Sequence, residues 1–252
     1  MSSDSRIAAA MVISAVVVSV TPAHAQQAEA ATLTGLNRDA ACAPSSPSVR
    51  PTVALTVAAG REIGKGLFGI GDAVVVRGGT AQGVKAGDEY YVRRVVDDRF
   101  AEHEPGVYRN SVHTAGAVKI LDAQDDASIA TVTYACDGVM LGDFLEKFER
   151  PAIPAAAVGV SPDYAHPGQL ILGAEKRQSA AAGDFMVINR GSDHGVQRGQ
   201  ELTIFRRTLP GGGPVANVGT ATVFKVLPES SVVRIEWSLD AVYVGDLVAI
   251  HR

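Results

Sequence analysis

The chain has 252 residues with 23 basic and 27 acidic side chains, a net charge of −4. Such a mildly acidic protein has no cationic surplus with which to hold nucleic acid or an anionic membrane surface. Its length allows one domain or two.

The N-terminus reads MSSDSR, then the apolar run IAAAMVISAVVVSV over 7–20, then TPAHA. This is the three-part layout of a secretory signal, with an A-x-A cleavage site at Ala23-His24-Ala25. The apolar run is shorter than the roughly 20 residues of a spanning helix, and no stop-transfer sequence follows. A signal peptide over 1–25 is therefore expected rather than a membrane anchor, with a mature chain beginning at Gln26. No cysteine stands just after Ala25 to carry a lipid. Cleavage would leave 22 basic and 26 acidic side chains, still −4, and no integral membrane segment. The expected destination is the periplasm.

Residues 26–61 are rich in Ala, Pro, Ser and Thr without sustained periodicity, which predicts a flexible leader. Cys42 lies there. Export to an oxidising compartment and an even count of two predict a disulfide between Cys42 and Cys136. The alternative is an inert core thiol at Cys136, whose counterpart in the repeat described next is Leu239, which suggests a buried or nearly buried position.

From 62 to 149 and from 170 to 252 the chain says nearly the same thing twice. GDAVVVRGGTAQGVKAGDEYYVRR from Gly71 matches GDFMVINRGSDHGVQRGQELTIFR from Gly183, 112 positions on. The closing runs ASIATVTYACDGVMLGDFL from Ala127 and SSVVRIEWSLDAVYVGDLV from Ser230 match 103 positions apart, so the first copy holds nine extra residues near Asp97 to His113, as a loop would. Between the copies, the prolines of 150–169 predict a linker. Within each copy, Val74–Val76 and Met186–Ile188 read as short strands covered on both faces, and Tyr90/Val92 and Leu202/Ile204 alternate with polar neighbours as half-buried strands do. Three further segments complete five short strands per copy, without a long amphipathic helix. The expected fold is all-β: two tandem small β-barrel or sandwich modules. Gly79, Gly83, Gly87 and their counterparts Gly191, Gly195, Gly199 are expected to supply positive φ in successive tight turns, with Val84 and Val196 plugging the barrel ends.

VVVRGGTAQGVKAGDEYYVRR, VINRGSDHGVQRGQELTIFR and the closing Gly-Asp strands resemble the C-terminal β-module of flagellar assembly protein T, and related modules of bacterial envelope proteins, some of which carry peptidoglycan-binding LysM domains. The resemblance implies a periplasmic, non-catalytic accessory module and no catalytic residues to carry over.

The candidate chemistry is thin. Gly64-Lys65-Gly66-Leu67-Phe68-Gly69 lacks the Gly-Lys-Ser/Thr ending of a phosphate loop and precedes a strand, not a helix. Asp72, Asp88, Asp143, Asp184 and Asp246 each follow a glycine and recur singly, as turn residues do, rather than as a calcium loop. His103, His113, His166, His194 and His251 are scattered without zinc-ligand spacing, and Ser192-Asp193-His194 has triad residue types as neighbours where a triad needs distant segments. Arg93-Arg94 and Arg206-Arg207 read as solvated strand ends. Trp237 aligns with Tyr134 and is expected in the core, leaving Tyr91, Tyr108 and Tyr164 as surface aromatics for a sugar. The function expected is that of a non-enzymatic envelope scaffold or adaptor, without cofactor or metal, which binds a protein partner, most naturally by strand addition at a sheet edge. The alternative is a peptidoglycan- or polysaccharide-binding module.

Overall fold

The computed structural model describes residues 35–47, 51–97, 110–155, 161–174, 177–209 and 212–252. The expected signal sequence with its cleavage site, His103 and Tyr108 lie outside them. Among the described residues helix α1 (Gly35–Cys42) comes first, and the elements after it are β-strands and short 3-10 turns. The first set of strands is β1 (Thr56–Gly60), β2 (Leu67–Phe68), β3 (Ala73–Arg77), β4 (Glu89–Asp97), β5 (Asn110–Ala123), β6 (Ala127–Ala135), β7 (Val139–Met140) and β8 (Phe144–Lys147). The second is β9 (Pro162–Gly173), β10 (Ser179–Ala180), β11 (Phe185–Ile188), β12 (Glu201–Leu209), β13 (Gly212–Val226), β14 (Ser231–Ser238), β15 (Val242–Tyr243) and β16 (Leu247–His251).

Each set closes a six-stranded antiparallel barrel, in the orders β1-β3-β6-β5-β4-β8 and β9-β11-β14-β13-β12-β16, with a two-stranded ribbon beside each, β2-β7 and β10-β15. The two orders are the same, strand for strand. Alternation along the strands points Val74, Val76, Val118, Ile120 and Val132 into one core, and Met186, Ile188, Val223, Val233 and Ile235 into the other. Val84 and Val196 are buried in these cores at 1% and 3% exposure. A bulge recurs at one place in both. The β4-β5 register slips at Val92/Arg93 and the β12-β13 register at Ile204/Phe205, so that Ala115 and Val218 are the extra residues, and both are buried. Gly116 and Gly219 follow them. A Cβ on either would meet a backbone oxygen at 2.3 Å, of Tyr134 and of Trp237, so only glycine lets those strands close together.

The chain enters each barrel earlier than its composition predicts. β1 lies inside the expected leader 26–61, and Thr56 pairs with Phe144 to close the first barrel. β9 begins inside the expected linker 150–169, and Pro162, Asp163, Gly168 and Gln169 pair with β16. The prolines are tolerated there because Pro162 is the first residue of its strand and Pro167 falls in the four-residue bulge between Asp163 and Gly168. The sixth strand of each barrel is thus the one that sequence periodicity misses.

The segment from α1 to Pro47 also departs from a free leader. Cys42 and Cys136 are disulfide-bonded, with Cα atoms 5.8 Å apart, and Ser45 exchanges two backbone hydrogen bonds with Val112 of the first barrel. On its other side Ala40 and Ala43 pack against Phe185, Phe224 and Val232 of the second barrel, and the Ser230 hydroxyl donates to the Ser46 carbonyl at 2.6 Å. The segment therefore binds to both barrels. This covering explains why β11 is buried on both faces. It also explains why Leu121 and Ile129, at the first-barrel positions equivalent to Phe224 and Val232, stay 55% and 43% exposed. Leu239, the counterpart of Cys136, is 73% exposed, so the bonded cysteine does not occupy a core position.

Candidate functional site

A recess of about 550 Å³ opens where the α1 segment meets both barrels. One wall is the outer face of β4 and β8. Tyr91 and Arg93, two positions apart on β4, point to the same side and are 6% and 7% exposed. The Tyr91 hydroxyl donates to the Glu149 carbonyl at 2.6 Å, and burial pushes its pKa above the ordinary tyrosine value. Its ring is contacted by Phe148, centroids 4.7 Å apart, and by the Arg93 guanidinium, 4.3 Å from the centroid. Arg93 donates from Nε to Glu146 at 3.0 Å and from Nη1 to the Thr114 hydroxyl. The opposite wall is Phe224, Lys225 and Val226 of β13 with Val232 of β14, and the α1 segment forms a third side. At the remaining side Arg198 donates to the Ala152 carbonyl.

The lining is cationic in an acidic chain. Arg93, Lys147, Arg150, Arg198 and Lys225 stand against two carboxylates, Glu146 and Glu149. Lys225 makes no hydrogen bond or ion pair among the described residues. Its ammonium is held below the ordinary lysine pKa by desolvation first and by the Arg93 charge second, with Glu146 and Glu149 opposing. Solvent still reaches it through the mouth of the recess. The arrangement can hold an anion and carries no nucleophile-base pair; no group of three metal-ligating side chains occurs among the described residues.

The residues singled out by the sequence have structural partners instead. Gly83, Gly87, Gly195 and Gly199 have φ of 81°, 91°, 75° and 83°. Gly79 and Gly191 do not: their φ values are −148° and −135°, and their reason is contact, since a Cβ would lie 1.8 Å from the Gln124 carbonyl oxygen and 2.1 Å from that of Leu227. Each opens a turn of 3-10 helix closed by a side chain three residues on, Gly79 N–H donating to Gln82 Oε1 at 2.7 Å and Gly191 N–H to His194 Nδ1 at 3.2 Å. His194 is therefore a cap. All five post-glycine aspartates accept from the backbone N–H three residues back: Gly69, Lys85, Met140, Ala181 and Tyr243 donate to Asp72, Asp88, Asp143, Asp184 and Asp246 at 2.7–2.9 Å. Lys65 of the glycine-rich loop donates to Asp72 at 2.7 Å.

Of the four arginines expected as solvated strand ends, Arg207 is exposed as expected, whereas Arg93, Arg94 and Arg206 are engaged by carboxylates. Arg94 grips the buried Asp143 with Nε and Nη2, both at 2.7 Å, reaches the Gly138 carbonyl, and lies 3.4 Å from Asp137. Arg206 repeats this with Asp246 at 2.6 and 2.8 Å, the Ala241 carbonyl, and Asp240 at 3.1 Å. In both, the carboxylate raises the guanidinium pKa, its hydrogen bond being the largest cause. The signal for this fork was present in the sequence: an Arg and a Gly-Asp conserved in position between the copies. The recess had no such signal, because Arg93 corresponds to Phe205 and Lys225 to Asp122 in the other copy.

The aromatic assignments reverse as well. Trp237 is 53% exposed and Tyr91 is buried, so the tryptophan is at the surface and the tyrosine is not; Tyr164 is half-buried, its ring edge-on to Phe205. Both barrels close, so the sheet edges left for strand addition are those of the two-stranded ribbons and of the far ends of the β4-β5 and β12-β13 hairpins. Comparison with models of known protein families finds none that matches this chain, and comparison with curated proteins finds no match.

Proposed function

We propose that the protein is a non-enzymatic scaffold or adaptor of the cell envelope, exported to the periplasm, whose two β-modules arose by internal duplication and bind a protein partner. The carrying observation is where the shared polar side chains go. Arg94/Arg206, Asp143/Asp246, Asp137/Asp240 and Asp72/Asp184 are bonded within their own barrels and hold turns and strand ends. A reaction common to both copies would need shared reactive groups left free to meet a substrate. The disulfide suits an oxidising compartment, and no helix among the described residues is long and apolar enough to cross a membrane. The recess between the barrels offers the partner a concave surface.

A polysaccharide reading has one observation of its own. Trp237 at the end of β14, Leu239 in the turn that follows and Tyr243 in β15 are 53%, 73% and 46% exposed, and a sugar ring could stack on the tryptophan. Affinity capture from envelope extract, run beside incubation with isolated peptidoglycan sacculi, separates the two. A recovered protein partner with no retention on sacculi at physiological salt supports the adaptor; retention on sacculi without a partner supports the polysaccharide reading.

A further inference from the structure

We propose that the recess between the barrels is a binding site for an acidic segment of a partner protein, whose carboxylates seat against Lys225 and Arg198. The inference rests on the adaptor reading and names the chemistry of its partner. Lys225 is the centre of the site. It projects into a walled space with no hydrogen bond or ion pair of its own, next to an arginine whose carboxylate partner, Glu146, is already engaged. Lys225 is exposed to solvent in a lining where five cations face two carboxylates, so an arriving carboxylate is attracted by several cations at once, more strongly than by a lone surface lysine. The Lys225 pKa is lowered by desolvation first and by the neighbouring Arg93 charge second. Arg198 spends Nη2 on the Ala152 carbonyl, which fixes the guanidinium at the rim while leaving its other donors for a ligand.

The class of anion follows from what the walls can and cannot do. The volume of about 550 Å³ falls within the roughly 300–1,000 Å³ of ordinary ligand sites, room for a few side chains and too little for a folded domain. An acidic glycan would want an aromatic face, and the recess has none to spare: Tyr91 carries Arg93 and Phe148, and Phe224 is packed edge-on against Phe185 at 5.1 Å. Nucleic acid is disfavoured by the chain's net charge of −4.

The test is calorimetric titration of the full-length, disulfide-bonded protein with a hexaglutamate peptide, with hexaglutamine and an oligogalacturonate of similar length as comparators. Saturable binding of hexaglutamate that weakens with added salt is expected, with no binding of hexaglutamine. Lys225→Met should weaken it about tenfold, Lys225→Arg should restore it, and Arg198→Met should weaken it several-fold, with unfolding midpoints matching the parent protein. The proposal is overturned by absent hexaglutamate binding, by Lys225→Met binding as the parent does, or by oligogalacturonate binding as tightly as the peptide. Capture of an envelope partner by both the parent and Lys225→Met proteins would overturn the recess while leaving the adaptor reading intact. Failure of capture with hexaglutamate still bound through Lys225 would do the reverse.

Discussion

Replacing Asp246 with alanine should destabilise the second barrel by about 2–3 kcal/mol, and the size of the loss follows from three contacts. The Asp246 carboxylate accepts from Arg206 Nε at 2.6 Å, from Arg206 Nη2 at 2.8 Å and from the Tyr243 N–H at 2.8 Å, while its side chain is 7% exposed. Removing one partner of a fully buried pair costs about 3–5 kcal/mol. Arg206 is 32% exposed and keeps Asp240, the Ala241 carbonyl and the Tyr243 ring, so solvent and these groups recover part of that loss. Asp143→Ala should cost at least as much, since Asp143 is 3% and Arg94 24% exposed. Urea unfolding followed by far-UV circular dichroism measures both, and a double-mutant cycle of Asp246→Ala with Arg206→Met should give a coupling of about 1.5–3 kcal/mol. A loss below about 0.5 kcal/mol for either aspartate, the range of an exposed ion pair, would refute the structural role assigned to the forks.

Reducing the Cys42–Cys136 bond, which spans 94 residues of sequence, should lower stability by about 4–5 kcal/mol on the chain-entropy model and release α1 from both barrels; unchanged unfolding midpoints with and without reductant would count against this. A fragment of 162–252 should fold to a β spectrum, whereas 170–252, which lacks the β9 residues that pair with β16, should be markedly less stable; equal stability would disprove the assigned start of the barrel. Gly191→Ala should cost more than Gly195→Ala, whose expected strain is about 1–2 kcal/mol, because the new Cβ meets carbonyl oxygens of Leu227 and Pro228 at 2.1 and 2.4 Å while the space at Gly195 is open; the reverse order in thermal unfolding would contradict the contact argument. Tyr91 has a folded pKa above its unfolded value, so its neutral form stabilises the fold below about pH 10 and that contribution is lost as pH rises through the folded value; Tyr91→Phe should flatten the alkaline fall in stability, and an unchanged profile would oppose it.

The parts of the fold that could be read from sequence are those in which a local rule coincides with the tertiary answer. Valines at alternating positions fill the cores, and Gly83, Gly87, Gly195 and Gly199 adopt the backbone angles only glycine takes readily. Elsewhere a tertiary contact decides. Gly79 and Gly191 are fixed by neighbouring carbonyls far along the chain, β1 and β9 gain strand structure only by closing a barrel, and Pro162 and Pro167 sit where a strand permits them. Tyr91 and Arg93 lie on the outer face of a barrel and read as surface positions, but Phe148, Glu149, Glu146 and Thr114 engage them there. Trp237 aligns with Tyr134 on the same face of equivalent strands, which reads as a core position, but near the end of β14 it is 53% exposed. The recess is the least legible feature because β4, β13, α1 and the stretch around Ala152 meet only in three dimensions.

Binding without turnover is tested most directly by incubating the purified protein with sacculi and with envelope extract in parallel, and measuring soluble muropeptides, retained protein and captured partners in one experiment. The account predicts no muropeptide release and a protein partner captured from the extract. Soluble muropeptides released by the protein alone would contradict it.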